Sequence, residues 1–306
     1  MAVFSSSDSK VLLPRQIGEG MITKTLATST LARLAGARPM LYGDVDYFTF
    51  NTPPRAEFVE EGADKASTTG AFGSVTAQPH KAQVTMRFNE EVLWADEDYQ
   101  TRVLTTLADA GATALSRALD LGAYHRINPL TGQTITGWTK YIAGTTNTVT
   151  LAEGVDPDDA LDAAISALVD GSDSFPVNGA AFDPRFSRAL ATLKIKAGDK
   201  PTSQRRYPEL GFGNNIEAFG GLPVAQGSTV SATPEAADTK VRAIVGDFTD
   251  GVRWGIQRNI PLELIKFGDP DGQGDLKRKN QVALRLEVVY GWWVNPAKFA
   301  VVKAGA

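Results

Sequence analysis

Residues 281–303 read QVALRLEVVYGWWVNPAKFAVVK, and apolar residues alternate along this stretch for longer than in most strands. The first face of the predicted strand is apolar or aromatic throughout: Val282, Leu284, Leu286, Val288, Tyr290 and Trp292. The opposite face carries Arg285 and Glu287 together with Ala283, Val289, Gly291 and Trp293. At ~3.3 Å per residue, residues 282–293 span roughly 40 Å, about twice the usual strand length. The pattern predicts one long strand with an apolar face and a charged face.

The composition bounds the class of protein. The chain has 306 residues, 42% of them hydrophobic, which predicts one large globular domain or two smaller ones. A net charge of −4 gives no overall basic field for attracting nucleic acid or a membrane surface. The chain has no cysteine, which excludes disulfides, zinc–thiolate sites and thiol nucleophiles. The first residues lack the apolar core of a signal peptide, and no stretch approaches the ~20 apolar residues of a membrane span.

A long helix is predicted from Glu97 to about His125, because apolar residues recur there at intervals of three and four. Asp96 is a suitable N-cap, and acidic residues follow it in the first turn, as the helix dipole prefers. Asn128 and Pro129 are predicted to end the helix.

Two strands are predicted before this helix, at Asp44–Phe50 and Lys81–Phe88. The thirty or so residues between them are rich in glycine, proline and charge and have too few apolar side chains for a core. Such a long loop is either disordered or functional. If the two strands pair, residues 51–80 form a long hairpin that needs a surface outside its own subunit.

Residues 130–247 change to short strands, turns and two shorter helices. The helices are predicted at Asp156–Gly171 and from Asp183 to about Lys194, and strands at Leu222–Val230 and Val241–Phe248, with a further strand at Val252–Ile260 after this region. This region is predicted to form an inserted α+β body.

The sequence offers no catalytic motif. His80 is predicted in a polar loop and His125 at a helix end, and isolated histidines of this kind are usually structural. The run Asp269–Asp275 resembles part of a calcium loop, but Pro270 interrupts it and Asn280 stands where a bidentate glutamate is needed. A tight turn between two strands, at Phe267–Asp275, explains the run more simply. We therefore predict no catalytic residues, no metal and no cofactor. A carbohydrate-active α+β enzyme using Tyr290, Trp292 and Trp293 stays an alternative that lacks a paired carboxylate site.

The order of segments resembles the major capsid proteins of tailed bacteriophages, which have the Hong Kong 97-like fold. Several phrases carry the resemblance: STLARLAGARPM at the end of an N-terminal arm, AEFVEEG in an extended E-loop, VTAQPHKAQVTMRFNEEVLWADED leading into the spine helix, FPVNGAAFDPRFSRALATLK and GLPVAQGS in the axial domain, and IVGDFTDGVRWGIQRNIPLELI and QVALRLEVVYGWWVNPAKFAVV in the closing strands. Together they cover nearly the whole chain.

The resemblance implies an α+β fold with a defined division of the chain. Its parts would be an N-terminal arm at 1–43, an E-loop hairpin at 44–88, a peripheral domain at 89–129 and 248–292, an axial domain at 130–247, and a C-terminal strand at 293–306 that joins the axial domain. The long strand would lie on the spine helix, with Arg285 and Glu287 facing solvent or a neighbour. The segment before the arm is short, so a separate scaffold protein, or none, is expected.

The implied function is structural. Hexamers and pentamers would form an icosahedral shell around double-stranded DNA, held weakly and without sequence specificity, with portal and decoration proteins as further partners and no membrane. Assembly would occur in the host bacterial cytoplasm, and the mature protein would reside in the virion. An encapsulin-type nanocompartment shell is the alternative within this fold. Inter-subunit residues are expected in the E-loop and the basic arm: Arg55, Glu57, Phe58, Glu60, Glu61, Asp64, Lys65 and Phe72, and Lys10, Arg15 and Lys24.

Overall fold

The computed structural model describes residues 28–52, 56–62, 64, 67, 71–94, 96–171, 174–197, 200–213 and 215–305. Its helices are α1 (Thr30–Leu34), α2 (Glu97–His125), α3 (Pro157–Val169) and α4 (Pro184–Thr192). Its strands are β1 (Val45–Thr52), β2 (Ala71–Asn89), β3 (Thr148–Leu151), β4 (Gly179–Phe182), β5 (Lys194–Ala197), β6 (Lys200–Arg205), β7 (Ala218–Phe219), β8 (Leu222–Gln226), β9 (Val241–Gly246), β10 (Val252–Ile265), β11 (Gln281–Val294) and β12 (Phe299–Ala304).

The first sheet has the strand order β1-β2-β11-β10, and all its pairs are antiparallel. β2 begins at Ala71, ten residues before the predicted Lys81, so part of the predicted loop is strand. Its first part pairs with β1, from Ala71 to Ala77, whereas its second part pairs with β11, from Gln78 to Asn89. The condition considered above, a pairing of β1 with residues 81–88, is therefore not met, and β1 pairs with the preceding residues 71–77 instead. The first part of β2 contains glycine and polar residues, so its sequence does not indicate a strand. Such residues are tolerated there because a two-stranded ribbon in solvent needs no apolar face.

The long helix α2 is confirmed at its predicted bounds. The Asp96 carboxylate accepts a hydrogen bond from the backbone N–H of Tyr99, which satisfies one of the donors that the first turn leaves free. The helix ends earlier than at Asn128, because Arg126 takes a left-handed conformation with φ 53°. At ~1.5 Å per residue, α2 is about 43 Å long. No helix in the described ranges is both long and apolar enough to cross a membrane.

The apolar face of β11 packs on α2, as the alternation predicts. The hydroxyl of Tyr290 donates to the carbonyl of Leu115, at 3.1 Å, in the middle of the helix. The backbones approach closely at Gly111, where an added Cβ would lie 3.0 Å from the side chain of Leu286. The apolar face of β11 thus lies along α2, and the interface between the strand and the helix is buried.

The stretch 281–303 is two strands rather than one. β11 ends at Val294, and a short 3-10 turn at Pro296–Lys298 leads into β12. Pro296 has no N–H to donate and cannot continue the ladder of a central strand. The alternation resumes after the turn, but in a different sheet.

The second sheet has the strand order β3-β12-β9-β4-β8-β7 and is covered on both faces. Alternate residues of β12 show this, since Val301 packs in the core beneath α2 whereas Val302 packs in the core formed with α3 and α4. The two predicted helices are confirmed with slightly shorter bounds, and Asp183 caps α4 through the N–H of Arg185, at 2.8 Å.

Two other predicted strands have different ends. The strand predicted at Leu222–Val230 stops at Gln226, because a 3-10 turn occupies Ser228–Ser231. The strand predicted at Val252–Ile260 runs on to Ile265 and pairs with β11 along its length. The two long strands β10 and β11 therefore end together at the tip of the first sheet, joined by the predicted turn.

Candidate functional site

The β1–β2 hairpin is the largest feature outside the two packed bodies. Val45 lies opposite Ala77 at its base, and the paired strands run outward with no further strand from the described residues beside them in this register. Among its described residues, Phe48 is 86% exposed and Phe58 is fully exposed. Exposure of these two large apolar side chains to water is unfavourable, and their burial against another surface would be stabilising.

The tip of the hairpin is acidic. Glu57, Glu60, Glu61 and Asp64 are all exposed, and none of them forms an ion pair with another described residue. Arg55 and Lys65 lie outside the described residues, as do Lys10, Arg15 and Lys24 of the predicted arm. Phe72 lies in β2, and its side chain is not described.

Arg285 and Glu287 have partners within the chain. Arg285 donates to the hydroxyl of Thr85, at 3.1 Å, and to the carbonyl of Pro270, at 2.6 Å. Glu287 forms an ion pair with Lys81, at 2.9 Å, on the neighbouring strand. These contacts fix the register of β2 against β11, and a contact with a neighbouring subunit stays a prediction.

The turn between β10 and β11 is held by an arginine. Arg87 of β2 forms ion pairs with Asp269 and Asp271, and its hydrogen bonds hold the pKa of Asp271 below the usual range. The carboxylates that resemble part of a calcium loop thus bind a guanidinium. This geometry agrees with the tight turn expected for the run.

A second acidic group lies at the start of α3. The carboxylates of Asp156, Asp158 and Asp159 come within 4.8 Å of one another. Lys196 and Arg206 both bind Asp156, and these hydrogen bonds lower the pKa of that carboxyl. Arg206 also binds Asp158, at 2.5 Å. The cations tie the β5–β6 hairpin to α3.

An aromatic cleft lies at the base of the hairpin, and it joins Trp292 and Trp293 of the predicted aromatic cluster to His80 and Trp138, which no sequence pattern places beside them. His80 is part of β2 rather than of a polar loop, and its ring lies 4.2 Å from that of Trp138 and 4.0 Å from that of Trp292. Burial lowers the pKa of His80 to about 4, so the ring is neutral at pH 7. We call the space lined by His80, Trp138, Lys140, Trp292 and Trp293 the aromatic cleft; its volume is about 220 Å³.

One cation, Lys140, lines the aromatic cleft, and a second, Arg126, binds the backbone of Trp138 in its wall. Lys140 is exposed and makes no ion pair with the described residues. Arg126 donates to the carbonyl of Trp138, at 3.1 Å, and its guanidinium lies 4.7 Å from the ring centre of Tyr141. The cleft thus combines aromatic walls with positive charge at its border.

A buried carboxylate joins three distant parts of the chain. Asp120 of α2 is 1% exposed and accepts hydrogen bonds from the hydroxyls of Ser29, Thr30 and Thr229, at 2.5–2.8 Å. It also accepts from the backbone N–H groups of Thr30 and Leu31, at 3.0 and 3.1 Å. Burial raises the pKa of Asp120, and the hydrogen bonds from Ser29, Thr229 and Thr30 oppose that rise. The carboxylate fastens α1 to α2.

His125 lies at the end of α2 and is nearly fully buried. Its Nε2 lies 2.8 Å from the carbonyl oxygen of Val230, so this nitrogen carries the proton and donates. Burial lowers the pKa of His125 from 6.5 to about 4, and the nearby Lys303 acts in the same direction. Both histidines therefore have structural surroundings, and the sequence could not show how deeply either is buried.

We expect this histidine to make the fold sensitive to acid. The folded-state pKa lies below the unfolded one, so the stabilisation is complete above pH 6.5 and is lost as the pH falls towards 4. The loss from this group is about 3 kcal/mol. Urea unfolding between pH 7 and pH 4 should show it, and His125→Gln, which keeps a donor for Val230, should have a flatter profile. Equal slopes for both proteins would contradict the assignment.

Comparison with known proteins agrees with this architecture. A profile described as the phage capsid family matches residues 9–303. A solved chain from Mycobacterium phage Ogopogo is 45% identical, with a TM-score of 0.78, over 91% of this chain and 92% of that one. A chain from Gordonia phage Cozz is 29% identical with the same TM-score, over 91% and 87% of the two chains. A capsid of a native GTA particle shares the fold at 18% identity, with a TM-score of 0.57 and 91% of each chain covered. No curated relative matches the chain.

Proposed function

Because the chain belongs to the phage capsid family, we propose that it is the subunit of a closed icosahedral shell of hexamers and pentamers enclosing double-stranded DNA. It is a structural protein, a major capsid protein, and its mixed helix and sheet fold matches phage capsid structures. The match over residues 9–303 carries the proposal, since it spans both sheets and the hairpin together.

The β1–β2 hairpin supports assembly through the E-loop. A two-stranded ribbon is only marginally stable in water by itself, so contact with another surface must stabilise it further. Its exposed Phe58, and its acidic side chains that form no ion pair with a described residue, are suited to an adjacent subunit. We assign the E-loop residues Glu57, Phe58, Glu60, Glu61 and Asp64 to that contact, together with Arg55, Lys65 and Phe72.

The division into Hong Kong 97-like domains is supported by the two sheets. The first sheet with α2 corresponds to the proposed peripheral domain and the base of the E-loop, and the second sheet corresponds to the proposed axial domain. β12 lies in the second sheet, which supports a C-terminal strand that joins the axial domain. The arm, with Lys10, Arg15 and Lys24, is proposed to contact neighbouring subunits.

The acidic balance of the chain suits a container for DNA. Because the subunit has a net charge of −4, its surface as a whole does not neutralise the phosphates of DNA. Counterions would neutralise them instead, and the shell would hold the DNA weakly. Assembly in the host bacterial cytoplasm, residence in the virion, and partners such as a scaffold, portal or decoration protein belong to the same proposal.

Electron microscopy tests the proposal directly. The purified protein, alone or with the scaffold of its phage, should form closed particles and elute far above the 32.7 kDa of one chain. Particles recovered from infected cells should contain nuclease-protected DNA, whereas a nanocompartment shell would contain protein cargo. A strictly monomeric protein under every co-expression condition would contradict the proposal.

A further inference from the structure

We infer that the aromatic cleft is the docking site for the hairpin tip of a second copy of this chain, which inserts Phe58 beside Trp138 and Trp293. The inference rests on the proposed function, because it names the surface that the E-loop meets in the shell. Three observations carry it: the size of the cleft, the charges on both surfaces, and the position of the tip within its own chain.

The size of the cleft suits one side chain. Its volume of about 220 Å³ is below the range for drug-sized ligands, and its lining combines the rings of His80, Trp138, Trp292 and Trp293 with the polar side chains of Thr76, Gln78 and Thr139. Phe58 is fully exposed in the subunit, and it is a rigid aromatic residue of the kind that anchors interfaces. Aromatic rings gain further stabilisation from offset or edge-to-face contacts with rings such as that of Trp138.

The charges around the two surfaces are complementary. Glu57 is next to Phe58, and Glu60 follows two residues later, and both are exposed and without an ion-pair partner among the described residues. Lys140 lines the aromatic cleft, Arg126 binds the backbone of Trp138 in its wall, and neither forms an ion pair with a described residue. Docking of Phe58 would therefore bring Glu57 and Glu60 close to Lys140, which favours this register over others.

The occupant comes from another copy. In its own chain the hairpin runs outward from Val45 and Ala77, and β1 extends to Thr52, about 23 Å further at ~3.3 Å per residue. Phe58 lies beyond that end and remains fully exposed. The tip therefore does not fill the cleft at the base of its own hairpin. A closed lattice of identical subunits gives every cleft one such tip.

Engineered cysteines test the contact, since the chain has no cysteine of its own. We choose Val59→Cys beside the anchor and Thr139→Cys at the border of the cleft, because both positions are exposed and both changes leave Phe58 and the charges in place. A disulfide forms only when the two Cα atoms lie within about 7 Å. Oxidised shells of the double variant should give a ladder of linked subunits on a non-reducing gel.

The controls separate the docking site from assembly itself. Each single variant should give only monomer, and Val59→Cys combined with Ser203→Cys, an exposed position on β6, should not link. Intact shells of the Val59→Cys/Thr139→Cys variant with no more linkage than the singles would overturn the docking site. Because the shells are intact in that outcome, the docking site fails while the proposed function still holds. Failure of the docking site and failure of the proposed function are therefore distinguishable.

Amine labelling of the unmodified protein provides a second readout that needs no variant. Lys140 should be acylated at least tenfold more slowly in shells than in free subunits, because the docked tip covers it. Lys240, an exposed lysine on the second body, is the reference for general loss of access. Equal protection of both lysines, or unchanged labelling of Lys140, would overturn the docking site even if the cysteine variants fail to assemble.

Discussion

A chain in which Asp46–Thr76 is replaced by Asn-Gly should remain a folded subunit and fail to form closed shells. Val45 and Ala77 are directly paired, and a two-residue Asn-Gly turn joins such a pair in the geometry that the strand twist prefers. None of the described residues between these positions is buried, so the core is unchanged. The contact of Arg253 with the ring of Tyr47 is lost, which costs about 1 kcal/mol or less.

The measurements separate folding from assembly. Circular dichroism and thermal unfolding of the shortened subunit should be close to those of the full chain, whereas electron microscopy should show no closed particles. Asp46→Asn, which disturbs the 2.6 Å hydrogen bond from Thr76 but keeps the hairpin, should assemble normally. Normal shells from the shortened chain would mean that the hairpin is not needed for assembly.

The parts that the sequence predicted best are those where one pattern determines one element. The apolar stripe and the acidic N-cap of α2 specify its bounds without any tertiary information. The alternation in β11 likewise identifies its buried face, because side chains in a strand alternate between the two sides. Local rules were sufficient in both cases.

The parts that the sequence did not predict depend on partners distant in the chain. Ala71–Ala77 is strand because it pairs with β1, and nothing in its own composition marks it. The aromatic cleft unites residues from β2, from β11 and from the segment after α2, so His80 could not be recognised as buried from its neighbours in sequence. No sequence pattern marks Asp120 as buried, and only the fold shows that five donors converge on it.

Asp120→Ala should have the largest effect on stability of any single change proposed for this chain. Removal of the carboxylate leaves the backbone N–H groups of Thr30 and Leu31 without their acceptor in a buried place. At ~2 kcal/mol for each buried unsatisfied donor, the loss is about 4 kcal/mol. The hydroxyls of Ser29 and Thr229 can rotate to other acceptors and add less.

Chemical unfolding should show this loss, and limited proteolysis should show where it acts. Cleavage after Arg33, which lies in α1, should be faster in the variant, because α1 is no longer held to α2. Asp162→Ala removes an exposed carboxylate from α3 and should change stability by less than about 0.5 kcal/mol. A similar effect of both substitutions would mean that Asp120 does not fasten α1.

The response to acid distinguishes the role of Asp120 from that of His125. Because burial raises the pKa of Asp120, the folded chain binds this proton more readily than the unfolded chain does. The contribution of that group to stability is therefore present at low pH and is lost as the pH rises through the folded-state pKa. His125 acts in the opposite direction, since its lowered pKa removes stability as the pH falls from 6.5 towards 4. Acid lability should consequently persist in Asp120→Asn and diminish in His125→Gln.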